Sequence, residues 1–498
     1  MTAQFIPRST GTLVVGGGTA GAVFAGLLAE RSKDPILLLE SGPDYGSFRE
    51  GGWPKDLLDG RRVPLSHDWL YSAGTTSSSR VLDLPRARVL GGCSSHNGCT
   101  AAIGARKDYD DWVGAGNYGW SAKEVEPLFN LVRNRFRVRT CNLEELIPIQ
   151  AAFVAAGQSC GMPLAFDLDQ YEAGVGIGPM AANVMDGVRW NSAFAFLDPV
   201  RHQSHLTVAG NVLVDRVLIE HGGAVGVSVV TGNETAIIRA DRIVLCAGAF
   251  GSPTILLRSG IGSATDSLRL GIKVESDLPG VGRNLLDHPC ISVNFAGTEE
   301  FVSSVHRTPW HPDEQALGRA KSPFCDTGPY DVHLFLIAGI DGAGKPRMAL
   351  RGGAMLARSQ GFLQLRNVDP RALPLIEPAY LSDPGNLDRK VLDHAGQLIR
   401  AVAGDRGFAR FLGEEIGPNR DTADTVISYC HPSGSCKMGP ENDPGAVVDP
   451  LCRVYGVSGL YVADASIMPT NVRGNINLPT AMIAARVVER LTTATDVR

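Results

Sequence analysis

The stretch Thr12-Leu-Val-Val-Gly16-Gly-Gly18-Thr-Ala-Gly21 decides the reading of this chain. A short β-branched run ends abruptly in glycines, and Ala22 to Arg31 then reads as an Ala/Leu-rich helix. A second apolar run, Pro35-Ile-Leu-Leu-Leu-Glu40, closes a strand–turn–helix–strand unit of about the 30 residues a βαβ motif takes. Within G-x-G-x-x-G each glycine has its own steric task. Gly16 permits the tight turn, Gly18 lets the backbone approach a pyrophosphate, and Gly21 lets the helix pack close to the strand. The N-terminus of the helix that follows would then face the phosphates. Glu40 falls at the interval where a carboxylate accepts from ribose hydroxyls. A merely structural turn would share the glycines but not the flanking strand, helix and acid. A dinucleotide site is therefore expected, with NAD and FAD both left open by these residues alone.

The 498 residues exceed one ordinary core, which predicts two domains sharing a cleft. At 44% hydrophobic and 20% charged residues the composition is that of a globular enzyme. The net charge of -5, with no concentrated basic face, argues against a nucleic-acid partner and for a small molecule. No run approaches the roughly 18 apolar residues of a membrane span. The opening MTAQFIPRST is too short and polar for a signal peptide, so a cytoplasmic location is expected. Ten cysteines without a CxxC pair predict reduced thiols and no metal site.

Further strand-like runs at Leu206–Ala209, Val212–Val217, Ala224–Val230 and Arg242–Ala247 carry the first sheet far down the chain. Residues 299–424 differ: they are rich in Pro, Arg and Asp, with isolated aromatics such as Trp310, Phe324 and Phe335 and weak periodicity. The expected architecture is α/β, with a discontinuous dinucleotide-binding domain over 1–155, 206–298 and 425–498. An inserted α+β substrate-binding domain takes 156–205 and 299–424. The residues after Arg490 read as a loose tail.

Five blocks follow in order: Arg86-Ala-Arg-Val-Leu-Gly-Gly-Cys-Ser-Ser-His-Asn-Gly98, Cys246 to Gly262, Pro279-Gly-Val-Gly-Arg-Asn-Leu-Leu-Asp-His-Pro289, His431-Pro-Ser-Gly-Ser-Cys-Lys-Met-Gly439 and Val462 to Pro469. In content and order they resemble the signatures of the glucose-methanol-choline (GMC) oxidoreductase family. The likeness covers roughly 10–120, 185–290 and 425–490 and fades in the substrate domain. It implies FAD rather than NAD, and the GMC fold of a Rossmann-like FAD-binding domain with an inserted substrate-binding domain. By position it implies FAD contacts from Gly16, Gly18, Gly21, Glu40, Trp69, Gly91, Asn97, Gly98, Cys99, Thr100, Val214, Asp464, Ala465, Asn477 and Pro479, joined by Thr19, Ala20 and His96. Trp69 and Val214 have core packing as their alternative. A homodimer is the expected assembly where one forms.

The family likeness also implies the chemistry. Oxidising an alcohol with a flavin requires a base for the hydroxyl proton and a partner for the alkoxide. His431 opens its block in the position of the family's catalytic histidine, and Asn475, in Arg473-Gly-Asn-Ile-Asn-Leu-Pro479, matches the position filled by His or Asn. His288, in Asp287-His-Pro, reads as structural. Gly91-Gly-Cys-Ser-Ser-His-Asn97 is most similar to the choline oxidases of the family, in which the corresponding histidine is bonded to the flavin 8α carbon. A covalent link from His96 is expected on that likeness, against the alternative of packing at the flavin edge. Phe335 stands where those relatives carry a further active-site histidine, and His333, two residues away on the same strand face, is a candidate substitute. The expected activity is oxidation of an alcohol to an aldehyde or ketone, with dioxygen or another acceptor reoxidising the flavin. A flavin-containing lyase of the hydroxynitrile-lyase kind is the alternative on the same scaffold.

Overall fold

The computed structural model describes residues 6–75, 78–306, 312–340, 344–416 and 422–493; Trp310 and the last five residues lie outside them. The opening stretch is strand β1 (Ser9–Val15), a glycine turn, and helix α1 (Thr19–Arg31). With β2 (Ile36–Leu39), β3 (Leu206–Ala209), β4 (Leu213–Glu220), β5 (Gly223–Thr231), β6 (Glu234–Leu245) and β7 (Leu460–Val462) it builds a seven-stranded sheet ordered β3-β2-β1-β6-β5-β4. The long β6 pairs antiparallel with β5 along its first half and parallel with β7 at its end.

Register explains why this sheet makes a site. Val15 pairs with both Leu39 and Leu245, and Leu245 pairs with Val462, so four parallel strands end level. Their continuations, at Gly16, Glu40, Cys246 and Asp464, open side by side at the carboxyl edge, where open α/β sheets bind ligands. β2 is buried at all four residues, as expected of a parallel strand covered on both faces. Helix α2 (Gly248–Arg258) follows β6, and helix α3 (Asn477–Thr493) packs against α1. Because α3 continues to Thr493, the first residues after Arg490 are helix and not tail.

The glycines act as their spacing suggests. Gly16 has φ +96°, and a Cβ there would stand 2.7 Å from the Cys246 carbonyl oxygen. A Cβ at Gly21 would collide with the Gly16 carbonyl, which fixes how closely α1 meets β1. Gly26, inside α1, leaves room for the Phe196 carbonyl of a π-helical turn at Ala193–Leu197.

A second seven-stranded sheet stands opposite. Its order is Leu412–Ile416, Pro289–Gly297, Pro346–Ala354, Val332–Ile340, Ala316–Ala320 and Gly176–Pro179, with Ile427–Ser428 paired to the start of Pro289–Gly297. Every pairing in it is antiparallel. Helices Pro148–Ser159 and Leu387–Ala403 cover one face, sharing a core with Ile291, Leu334, Leu336 and Leu350. Burial on both faces is why 332–340 and 346–354 show no alternation in sequence. The sequence division placed Pro289–Gly297 with the first domain, but it pairs into this sheet. Conversely, 190–200, assigned to the insertion, packs into the first core through Ala193, Phe196 and Val200. Among the described residues no helix is long and apolar enough to cross a membrane.

Candidate active site

One elongated cavity runs from the glycine turn of β1 to the face of the second sheet. At the first end the N-terminus of α1, capped by no side chain and with no acid in its first turn, opens into it. Gly18 and Gly92 face each other across the cavity wall, and a Cβ on Gly92 would lie 2.5 Å from the Gly18 Cα. Such a side-chain-free cradle beside a helix N-terminus suits a pyrophosphate. Asn477, at the start of α3, accepts a hydrogen bond from Thr19 Oγ1 at 2.9 Å, so two helix starts meet there.

Two buried acids hold this end together. Glu40 accepts from the Gly17 and Gly42 N–H groups, both at 2.8 Å, and burial outweighs those bonds to push its carboxyl up. Asp464 accepts from Gly248 N and Ser466 N at 2.8 Å and from Ser252 Oγ at 2.6 Å, fixing the start of α2. Trp69 lines the wall, stacked on Tyr71 at 5.8 Å with the Arg88 guanidinium over its ring. His96 Nε2 lies 2.8 Å from the Ser66 carbonyl. A carbonyl can only accept, so Nε2 carries the proton and Nδ1 keeps the lone pair. Burial holds His96 below the usual histidine range.

At the far end His431 is buried, with Nε2 3.4 Å from the Asn475 amide nitrogen and Nδ1 2.9 Å from Nδ1 of His288. The amide nitrogen donates, so Nε2 holds the lone pair; Nδ1 then carries the proton and gives it to His288. Burial first, then His288, pushes His431 well below the usual histidine range, and burial takes His288 down to about 4. Both rings are neutral at neutral pH. Asp287 anchors the pair: its Oδ1 accepts from the backbone N–H of His288 and of His431, each at 2.8 Å. The preceding residue, Cys430, has φ +66°, held by Ser428 Oγ on its N–H and by Arg86 on its carbonyl. Asn475 Oδ1 and the Tyr429 hydroxyl are buried beside each other in the wall, neither with a well-formed hydrogen bond among the described residues, polar atoms left for a ligand to satisfy.

The cavity collects most of the residues singled out in the sequence: Gly16, Gly18, Thr19, Ala20, Glu40, Trp69, His96, Asn97, Gly98, Thr100, Val214, His431, Asp464, Ala465, Asn475 and Asn477 line it. Gly21, Gly91, Cys99 and Pro479 do not. Gly21 backs the turn; Gly91 has φ +84° with Ser95 Oγ against it; Cys99 packs with Leu168 and Met180; Pro479 is buried within α3. His288 is corrected from a structural residue to the direct neighbour of His431. His333 does not take over a vacated role: it is fully buried behind Tyr429, stacked on Tyr330, with both ring nitrogens unpartnered. Sequence reasoning missed Tyr429, Glu314 and Arg351, which share the wall with Phe335. Tyr429 stood two residues from His431 and was readable; the other two lie in the stretch without periodicity.

Comparison with known proteins places the chain in a family. Residues 10–290 and 357–484 match the N- and C-terminal family models described as GMC oxidoreductase. Human mitochondrial choline dehydrogenase is 33% identical over 532 residues, covering 96% of this chain and 89% of that protein. The oxygen-dependent choline dehydrogenase of Rhizobium etli is 30% identical over 96% of this chain and 95% of its own length. Among solved structures, pyridoxine 4-oxidase from Mesorbium loti superposes with a TM-score of 0.83 at 27% identity, over 97% of this chain and 99% of that one.

Proposed function

The chain belongs to the GMC oxidoreductase family, FAD-dependent enzymes acting on CH–OH donors, and from that premise we propose that His431 and Asn475 carry the oxidation of an alcohol in the cavity described above. The single observation behind the assignment is the tautomer chain: Asn475 and His288 together leave the His431 lone pair on Nε2, the nitrogen at the cavity. Bound FAD supplies the acceptor for the substrate's α-hydride. His431 Nε2 takes the hydroxyl proton, and Asn475 donates to the alkoxide that results. A buried imidazolium is costly alone, but here it forms beside that alkoxide, so the two charges compensate each other. His288 keeps the imidazole in register through Nδ1. Phe335 and Tyr429, stacked at 4.8 Å, exclude water from the same end.

Gly16, Gly18, Thr19 and Asn477 would hold the pyrophosphate, Glu40 the ribose, and His96, Asn97 and Gly98 the isoalloxazine side. The cradle at Gly18 and Gly92 supports that placement. The cavity's two walls support a division of the chain into an FAD-binding half around the first sheet and a substrate half around the second. All ten cysteines are free thiols, which supports work in a reducing compartment such as the cytoplasm. Nothing in the site favours the lyase alternative. An anaerobic screen of alcohols for bleaching of the flavin absorbance, followed by admission of air, tests the reading: bleaching by an alcohol supports it, and a flavin that stays oxidised with every alcohol while product forms refutes it.

A further inference from the structure

Two charged side chains stand at the reacting end of the cavity without an ion-pair partner. Arg351, on Pro346–Ala354, is the cross-strand partner of Phe335 and therefore shares its face. Phe335 stacks on Tyr429 at 4.8 Å, and the Tyr429 ring lies 4.5 Å from that of His431, so an aromatic pair separates the guanidinium from the base. Arg351 makes no hydrogen bond or ion pair with any described residue, and its Nε is buried and unpartnered. Glu314, in the same wall, accepts from the Thr100 hydroxyl on its Oε1 at 3.1 Å and feels the charge of Arg351, without an ion pair to any described residue.

The two groups differ in how they can respond to that isolation. An unpaired buried charge is costly, and a carboxylate sheds its charge by taking a proton; burial pushes Glu314 up to about 7. A guanidinium stays charged at any pH the protein survives. The permanent charge in this wall is therefore positive, and a part-protonated Glu314 nearby offsets only part of it near neutral pH.

Resting on alcohol oxidation at His431, we propose that the substrate carries an anionic group, a carboxylate, which pairs with Arg351 while its hydroxyl lies at His431 Nε2. Phe335 and Tyr429 then flank the apolar body between the two ends. A planar guanidinium fork matches a carboxylate bidentately, which fixes orientation as well as affinity. A trimethylammonium alcohol such as choline would set a second positive charge against the first.

The test uses the FAD-loaded enzyme with a chain-length series of ω-hydroxycarboxylates, each against its primary amide, and with choline. Anaerobic flavin bleaching reads reaction, and calorimetry with the same acids and amides lacking the hydroxyl reads binding. Carboxylates are expected to exceed their amides by about tenfold or more in both, the scale of one charge-assisted hydrogen-bond pair. Arg351→Gln should abolish the preference, and Arg351→Lys should keep part of it. Amides or choline equalling the carboxylates, or a preference that survives Arg351→Gln, overturns the proposal. Carboxylates that bind wild type but not Arg351→Gln, with no alcohol bleaching the flavin, would uphold the anion site and refute alcohol oxidation instead.

Discussion

His288 and His431 meet through their Nδ1 atoms at 2.9 Å, with their rings nearly perpendicular at 86°. Only one Nδ1 can carry the shared proton, and the Asn475 amide at the far side of His431 decides which. His288, 143 positions away in sequence, and Asn475, 44 positions away, thus preset the base for its task before substrate arrives.

Removing the base itself should be the most damaging change to chemistry. His431→Ala is expected to retain FAD while anaerobic flavin reduction slows by about two or more decades, the range of a positioned general base. Stopped-flow absorbance on the purified variant checks this, and reduction at the wild-type rate would remove His431 from the mechanism.

Asn475→Ala should slow the same step less, by about ten- to a hundredfold, since one hydrogen bond to the alkoxide is lost while the base survives. The ordering is what stopped-flow must show. If the variant instead sheds FAD and its bound fraction reduces at full speed, Asn475 is a cofactor ligand.

For His288 the decisive comparison is between two substitutions. His288→Ala removes the acceptor of the Nδ1 proton and should cost about ten- to a hundredfold in kcat with FAD content unchanged. His288→Asn, whose carbonyl can accept that proton, should recover much of the loss. Equal loss in both variants would make the residue a packing element only.

Acid should destabilise the protein earlier than its carboxylates alone would. His288, His333 and His431 are all held by burial below the ordinary 6.5, His288 at about 4. Depressed groups contribute stability that is present above pH 6.5 and lost as pH falls toward 4, because the unfolded chain takes up their protons first. Each such proton is worth about 1.4 kcal/mol per pH unit across that window. Glu314, raised to about 7, acts oppositely: its contribution is present below its ordinary 4.5 and lost as pH rises through 7. Thermal melts of wild type and His333→Phe from pH 4 to 7 give the measurement, and an unchanged acid slope in the variant contradicts the assignment.

The covalent link to the flavin expected from His96 has a simple readout. Acid precipitation should yield a yellow pellet for wild type and a colourless one for His96→Ala, with the wild-type flavin released only by proteolysis. Free FAD in the wild-type supernatant refutes the link and leaves His96 as a donor to Ser66 at the cavity wall.

The first sheet was largely legible because its turns carry steric information: Gly16 and Gly21 admit no Cβ, so the sequence states the geometry outright. The second sheet was not. Val332–Ile340 and Pro346–Ala354 are buried on both faces and so carry no alternation, and the helix Leu387–Ala403 behind them went unread in a stretch judged by its Pro and Asp content. Arg351 was hidden for the same reason, since only strand register places it beside Phe335, and Glu314, just ahead of Ala316–Ala320, reaches the wall only through the folded chain. His288 was misread because Asp287-His-Pro looks like a turn, and its pairing with His431 exists only in three dimensions.

The hydrogen bond from Thr19 to Asn477 joins two helix starts separated by 458 positions. A ribosome making this chain therefore emits the glycine turn long before its counterpart. Until α3 emerges, α1 lacks the neighbour it packs against and Thr19 the acceptor of its hydroxyl proton. The two helix starts can therefore meet only after 458 further residues have been made, and a chain stopped shortly before Asn477 would lack one side of the cavity's first end.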